Sequence, residues 1–255
     1  MGADFQDRVV VVTGASAGIG ELLARELDRR GARLALVARS SDKLQEVARA
    51  CRDAEAMVAD MTVREDVARV LELTQARFGG IDVWVNNAGR GLSRAFEDLT
   101  DDDVDEMVRD NIKTALYGMQ TVLPVFKAQG RGVIANVSSM LSRVPYAPIR
   151  TAYSAAKAGL NSLTETLRFD LAQDYPGIRV VLVLPGVVAT DFGLKALGGG
   201  ADSRNLPGAQ DPHEVAQLIA DGLLTGPVDV YTRPDGLDRV MQHLRTLAGT
   251  TTNSS

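Results

Sequence analysis

The segment VVVVTGASAGIG, residues 9–20, constrains the fold more than any other part of this chain. A run of β-branched valines with no polar alternation suits a strand buried on both faces, and the glycine after it ends the strand. Ile19, Leu22, Leu23 and Leu27 then recur at helical spacing across residues 18–30, and Gly31 stops the helix. A buried strand that turns through glycines straight into a helix is a βα unit. The pattern repeats. ARLALVAR (32–39), AEAMVAD (54–60), IDVWVNNAG (81–89), GVIANVSS (132–139), IRVVLVLPG (178–186) and VDVYT (228–232) read as further strands. DKLQEVARAC (42–51), VREDVARVLELTQARF (63–78), a long helix from about Thr100, the run around Tyr153 and DPHEVAQLIADGLL (211–224) read as the helices between them. Apolar strands alternating with helices predict an α/β fold with a parallel sheet covered on both faces, in three layers. Thr100 can cap its helix, and Asp101, Asp102 and Asp103 fall in the first turn, where the helix dipole favours them; this acidic run is expected to be a solvated helix start.

Neither a linker nor a repeat divides the 255 residues, so one domain spanning 1–255 is expected, with a disordered polar tail at about 249–255. A net charge of −5 gives no basic footprint for nucleic acid or an anionic membrane. Cys51 is the only cysteine and His213 and His243 are far apart in sequence, so neither a disulfide nor a Cys/His metal site is expected. The N-terminus carries Asp4 and Asp7 rather than an apolar signal segment, and no run approaches a membrane span. A cytoplasmic location is the default expectation.

Three places carry chemistry. In TGASAGIG, Gly14, Gly18 and Gly20 sit at the first strand-to-helix junction, where glycines let a pyrophosphate approach backbone N–H groups and a helix N-terminus; Ser16 and Ile19 lie in the same turn. The spacing is not that of a P-loop, and no lysine follows. At the end of the second strand an acid would bind the ribose hydroxyl of NAD, and an arginine would accept the 2′-phosphate of NADP. The chain has Arg39 and Ser40 there, which favours NADP(H) over NAD(H). Asp60, with Met61 beside it, can cap an adenine edge or merely cap the following turn. The third place is Tyr153 with Lys157, four residues apart on one helix face. A neighbouring ammonium is expected to lower the phenol from about 10 towards neutrality, making it a proton donor and acceptor at working pH.

Taken together, TGASAGIG (13–20), NNAG (86–89), Asn111, Ser139 at the end of NVSS, YSAAK (153–157) and PGVVAT (185–190) resemble the short-chain dehydrogenase/reductase family, in the family's own order and over about residues 5–235. The resemblance implies a Rossmann-type, doubly wound sheet of about seven parallel strands and a homodimer or homotetramer. It implies hydride transfer between a nicotinamide cofactor and a small carbonyl or alcohol substrate. Tyr153 would be the general acid/base, and Lys157 would tune it and hold the ribose. Ser139 would orient the substrate oxygen, and Asn111 would support a proton-relaying water. Asn87, Ala88 and Gly89 would flank the cofactor, with Asn87 the better contact, and Pro185, Gly186, Val188 and Thr190 would line the nicotinamide side. The loop from Ser139 to Tyr153 is one residue longer than the commonest family spacing, so Ser138 and Ser142 stand as rivals to Ser139. A cofactor-sensing protein without turnover is the alternative reading. The substrate wall is expected from Arg90, Leu92 and Phe96, from Met140 to Ile149, and from a loop at about 190–210, whose Gly198, Gly199 and Gly200 suggest a mobile lid.

Overall fold

The structure, a computed structural model, describes residues 4–249. The expected tail therefore lies outside the described residues except for Gly249. A single parallel sheet of seven strands runs in the order β3-β2-β1-β4-β5-β6-β7, a Rossmann-type arrangement. The strands are β1 Val9–Thr13, β2 Arg33–Ala38, β3 Ala54–Val58, β4 Val83–Asn86, β5 Gly132–Val137, β6 Ile178–Leu184 and β7 Asp229–Tyr231. The helices are α1 Gly18–Arg29, α2 Ser41–Arg49, α3 Arg64–Phe78, α4 Asp101–Val108, α5 Thr114–Gln129, α6 Thr151–Leu171, α7 Pro212–Leu224 and α8 Gly236–Leu247.

The two-residue period of β1 explains the layers. Val10 and Val12 point to one face, where Leu23 and Leu27 of α1, Leu44 of α2 and Ile219 and Leu223 of α7 cover them. Val9 and Val11 point to the other, where Val67 and Val70 of α3, Val122 and Phe126 of α5 and Leu160 of α6 close the core. Each of these valines is 4% exposed or less, as expected for a strand buried on both sides. Chain order reverses between β1 and β4, which leaves a crevice at their C-terminal ends.

The structure departs from the sequence pattern in four places. Strand pairing ends before the motifs do: β4 stops at Asn86 and β5 at Val137, so Asn87, Ser138 and Ser139 are free to serve the crevice. The acidic run is not uniformly solvated. Asp101 and Asp102 are exposed, but Asp103 is 6% exposed, closes a reciprocal capping box with Thr100 and pairs with Arg94 at 2.7 Å. The long helix is interrupted by a π-helical turn, Arg109–Lys113, which separates α4 from α5. Finally, α8 is absent from the sequence reading. Its Leu237, Val240, Met241, Leu244 and Leu247 recur at helical spacing, but only Gly236 and Val240 are buried, so most of that apolar stripe stays exposed.

Candidate active site

A cleft of about 920 Å³ opens along the C-terminal ends of the strands. Its first wall is the glycine turn. Gly14 and Gly18 have φ of +67° and +58°, a conformation that side chains resist. Gly20 does not line the cleft. A Cβ there would stand 2.3 Å from Gly14 O, so its role is close packing of α1 on the turn. Thr13 Oγ1 donates to Val85 O at 3.1 Å and accepts from the N–H groups of Asn87 and Ala88 at 2.9 and 3.0 Å. Asn87 Nδ2 donates to Thr13 O at 2.9 Å and Gly14 O at 3.3 Å. The Asn87 amide thus ties β4 to the turn, and its donors are spent within the protein.

Ser16, Gly18 and Ile19 face the cleft beside the start of α1, whose first turn has no side-chain cap. Its free N–H groups suit an anion. Arg39 and Ser40, both exposed, continue the wall from the end of β2, and Asp60 and Met61 from the end of β3. Asp60 Oδ1 accepts from Thr62 N and Oγ1 at 2.9 and 2.8 Å, so the carboxylate caps its own turn. Burial raises its pKa, but the Thr62 bonds and the charges of Arg39 and Arg109 outweigh that and hold it below the usual value. Pro185, Gly186, Val188 and Thr190 form the opposite wall after β6. This strip of glycine turn, uncapped helix start and basic strand end fits a dinucleotide phosphate.

At the centre stand Ser139, Tyr153 and Lys157. Tyr153 is 7% exposed, with the Phe192 ring 5.9 Å away and tilted. Burial pushes the phenol up to about 12, opposed by the Ser139 hydroxyl and the charge of Arg150. This corrects the expected lowering. Lys157 is itself brought down to about 8 by burial, and its Nζ donates to Val137 O at 2.9 Å rather than to the phenol. The ammonium lies 5.8 Å from the tyrosine ring centroid.

The rival serines are engaged elsewhere. Ser138 Oγ is 2.6 Å from Asn161 Oδ1, and Ser142 Oγ accepts from Asn161 Nδ2 at 2.8 Å and donates to Ser139 O. Ser139 Oγ accepts from Leu141 N at 3.2 Å and faces Tyr153 in the cleft. Asn161 is the residue the sequence did not point to; only its position on the Tyr153 helix face, at i+8, hints at it.

Asn111 sits behind the cleft wall, 1% exposed, inside the π-helical turn. Its Nδ2 donates to Arg90 O at 2.9 Å and its Oδ1 accepts from Arg90 N at 3.3 Å. A Cβ on Gly89 would stand 2.8 Å from Asn111 Oδ1 and 3.3 Å from Lys157 Nζ, so only glycine lets these groups converge behind it. Of the expected substrate wall, Arg90 lines the cleft, as do Met140, Leu141, Tyr146 and Phe192. Leu92 and Phe96 do not. Leu92 is fully buried in a cluster with Met107 and Leu197, and Phe96 is 74% exposed on the outer surface.

Among the described residues no helix is long and apolar enough to cross a membrane, and no cluster of His, Cys, Asp or Glu could hold a metal ion. An uncharacterized oxidoreductase of Staphylococcus aureus is 36% identical over 215 residues, covering 84% of this chain and 89% of that protein. A short chain dehydrogenase/reductase from Burkholderia phymatum, solved in complex with NAD, superposes with a TM-score of 0.86 at 21% identity over 99% of both chains. A short chain dehydrogenase from Burkholderia cenocepacia, solved with NADP, has a TM-score of 0.78 at 28% identity, covering 90% of this chain and 97% of that one. The profile described as short chain dehydrogenase matches residues 8–196, from β1 to the loop that roofs Tyr153, and the chain belongs to that family of oxidoreductases.

Proposed function

We propose that the protein is an NADP(H)-dependent oxidoreductase that interconverts a carbonyl and an alcohol, with Tyr153 as its proton donor and acceptor. The observation that carries this reading is the placement of Tyr153. It is the buried phenol at the centre of a cleft that has phosphate-binding backbone at one end and apolar loops at the other. Bound NADP(H) supplies or accepts the hydride. The remaining work falls to the chain's own groups. The uncapped start of α1 receives the pyrophosphate, and Arg39 with Ser40 receives the 2′-phosphate. Lys157 gives one donor to Val137 O and keeps two for the ribose. Ser139 holds the substrate oxygen against Tyr153. Tyr153 is in its phenol form and so holds a proton that a substrate carbonyl oxygen can accept. Asn111 acts at one remove, fixing the backbone at Arg90 beside the reacting groups.

Calorimetric titration with NADPH and with NADH tests the cofactor reading, and tighter NADPH binding is expected. Turnover of a simple aldehyde or ketone is then compared with that of Tyr153→Phe. The variant should lose about a hundredfold to ten-thousandfold in rate and bind NADPH as before. Turnover equal to wild type would overturn the assignment. Binding of neither cofactor by folded protein would remove the glycine-turn argument.

A further inference from the structure

One cation at the substrate end of the cleft acts on Tyr153 through its charge but has no partner of its own in the reaction described so far. Arg150 immediately precedes α6 and enters the cleft three residues before Tyr153. Its guanidinium lies between two backbone segments. Nη1 donates to Leu92 O at 3.3 Å, on the segment that follows β4. On the other side, a Cβ added to Gly200 would stand 3.0 Å from Nη2, so the group fits against the glycine loop only because that loop has no side chain there. Gly91 makes the same allowance, with a Cβ at 3.1 Å from Nη1.

The charge of Arg150 is unanswered. Among the described residues no carboxylate pairs with it. The acids around this end of the cleft are committed: Asp191 to Lys195 at 2.5 Å and Asp103 to Arg94 at 2.7 Å. Arg90 lines the same end and likewise has no acidic partner among the described residues. Burial lowers the pKa of Arg150, with the Tyr153 phenol opposing, so an unpaired guanidinium here is costly and an incoming anion would relieve that cost. The backbone supplies a second observation. Ile149, next to Arg150, is held at φ +59°, a conformation unfavourable for a β-branched residue. Its carbonyl accepts from Arg94 N at 2.9 Å, and Arg94 is itself fixed on Asp103. The strained turn therefore sets where α6 begins and directs Arg150 inward.

We propose that Arg150 anchors an anionic group of the substrate, so that the carbonyl reduced at Tyr153 belongs to an oxo acid with an apolar body. The proposal rests on the reading of Tyr153 as the reacting group. A planar fork of N–H donors matches a carboxylate, and the shared origin of Arg150 and Tyr153 on one helix start fixes the spacing between anchor and reacting carbonyl. Phe192 and Tyr146, in the same end of the cleft, supply apolar surface for the body between them.

The test compares phenylglyoxylate, benzoylpropionate and formylbenzoate with their methyl esters, using NADPH, in wild type and in Arg150→Gln. Intrinsic carbonyl reactivity cancels when the acid-to-ester ratio of kcat/KM is compared between the two proteins. For the best-fitting acid that ratio should fall about tenfold to a hundredfold in Arg150→Gln, mostly through KM; any change that loss of the charge makes at Tyr153 acts on acid and ester alike and cancels in the ratio. Arg150→Lys should recover part of the loss, because it restores charge without the fork. An unchanged ratio for every acid would overturn the proposal. So would an equal loss on acid and ester, which would assign Arg150 to the tyrosine's environment or to packing. Ester turnover by wild type reports on the Tyr153 reading separately. If no carbonyl compound is reduced, calorimetric binding of benzoate against benzamide decides the anchor: benzoate binding that Arg150→Gln weakens upholds it, and equal binding of the two removes it.

Discussion

The two ends of the cleft are built by different means. The cofactor end is cross-linked by short polar contacts between consecutive motifs: Thr13 Oγ1 serves β4 as donor and acceptor, and Asn87 Nδ2 returns to Thr13 O and Gly14 O. These groups lie on strand ends whose positions the sheet already fixes. The substrate end is built from loops. Its ties run between loops, among them a bridge from Leu92 to Leu197, the Arg94 N bond to Ile149 O, one Arg150 bond to Leu92 O and a ring contact between Phe192 and Tyr153. One end is a rigid receptor set by backbone geometry, while the other is shaped by side chains that a different sequence could replace without disturbing the sheet. On the function proposed above, what is common to the family belongs to the first, and substrate choice to the second.

The sharpest way to separate the two ends is to add one methyl group to each. Gly20→Ala forces a Cβ to within 2.3 Å of Gly14 O and 2.5 Å of Asn87 Nδ2, so the turn itself must move. We expect a loss of about 3 kcal/mol in chemical denaturation and loss of NADPH binding by calorimetry. Gly199→Ala, in the other loop, meets nothing within 4 Å and has only its φ of +77° to resist it. About 1 kcal/mol and unchanged NADPH binding are expected there. Equal effects at the two glycines would break the contrast.

Lys157 stands where the two ends meet, and its cost depends on pH. Burial lowers it from 10.5 to about 8. Between those values the unfolded chain holds a proton that the native state has lost, so stability rises with pH across that window. Below about pH 8 the buried ammonium is a constant penalty. Lys157→Met removes the penalty and should be more stable than wild type at neutral pH by up to about 3 kcal/mol, while losing activity. The advantage should shrink towards pH 10, beyond which the raised value of Tyr153 adds a decline of its own in both proteins. Urea midpoints at neutral pH and near pH 10 check the sign. A constant difference would mean that Lys157 is not desolvated.

The same division governs what could be read from the sequence. The cofactor end was legible because each of its groups sits at a strand end, and strand ends follow from apolar runs and glycines. Even there Gly20 was taken for a contact residue, since sequence cannot tell a glycine that meets a ligand from one that meets a helix. The π-helical turn at Arg109–Lys113 was not legible, because what holds Asn111 there is its bonding to the Arg90 backbone, a contact 21 residues distant. Leu92 and Phe96 both fall outside the expected substrate wall for the same reason. Whether a loop hydrophobe is buried depends on which loop lies over it, and the partner of Leu92 is Leu197. The raised phenol of Tyr153 escaped notice because helical spacing gives proximity to Lys157 but not the burial that dominates both groups.

Arg39 sharpens the comparison at the cofactor end, where recognition should depend on one exposed charge. Arg39→Asp replaces the cation at the end of β2 by an anion beside Asp60, and the ratio of NADPH to NADH affinity should fall at least about tenfold. Stability should hardly change, since Arg39 is exposed and makes no ion pair among the described residues. An unchanged ratio by calorimetry would take Arg39 out of the site.

The smallest expected effect, at Ile149, bears on the substrate end alone. Ile149 is 48% exposed, so replacing it by glycine gives up little apolar burial. Glycine adopts a φ of +59° without strain but adds freedom to the unfolded chain, and these opposing contributions are each about 1 kcal/mol. Ile149→Gly should therefore leave the urea midpoint within about 1 kcal/mol of wild type. Its functional effect should be larger than its effect on stability. A turn no longer held in one conformation lets the start of α6 shift, and Arg150 with it. The KM for an oxo acid should rise while the NADPH Kd and the kcat/KM for the matching ester stay put. If all three change together, the strained turn shapes the whole cleft, and the separation of a fixed receptor from a replaceable pocket fails at the residue where it is most exposed to test.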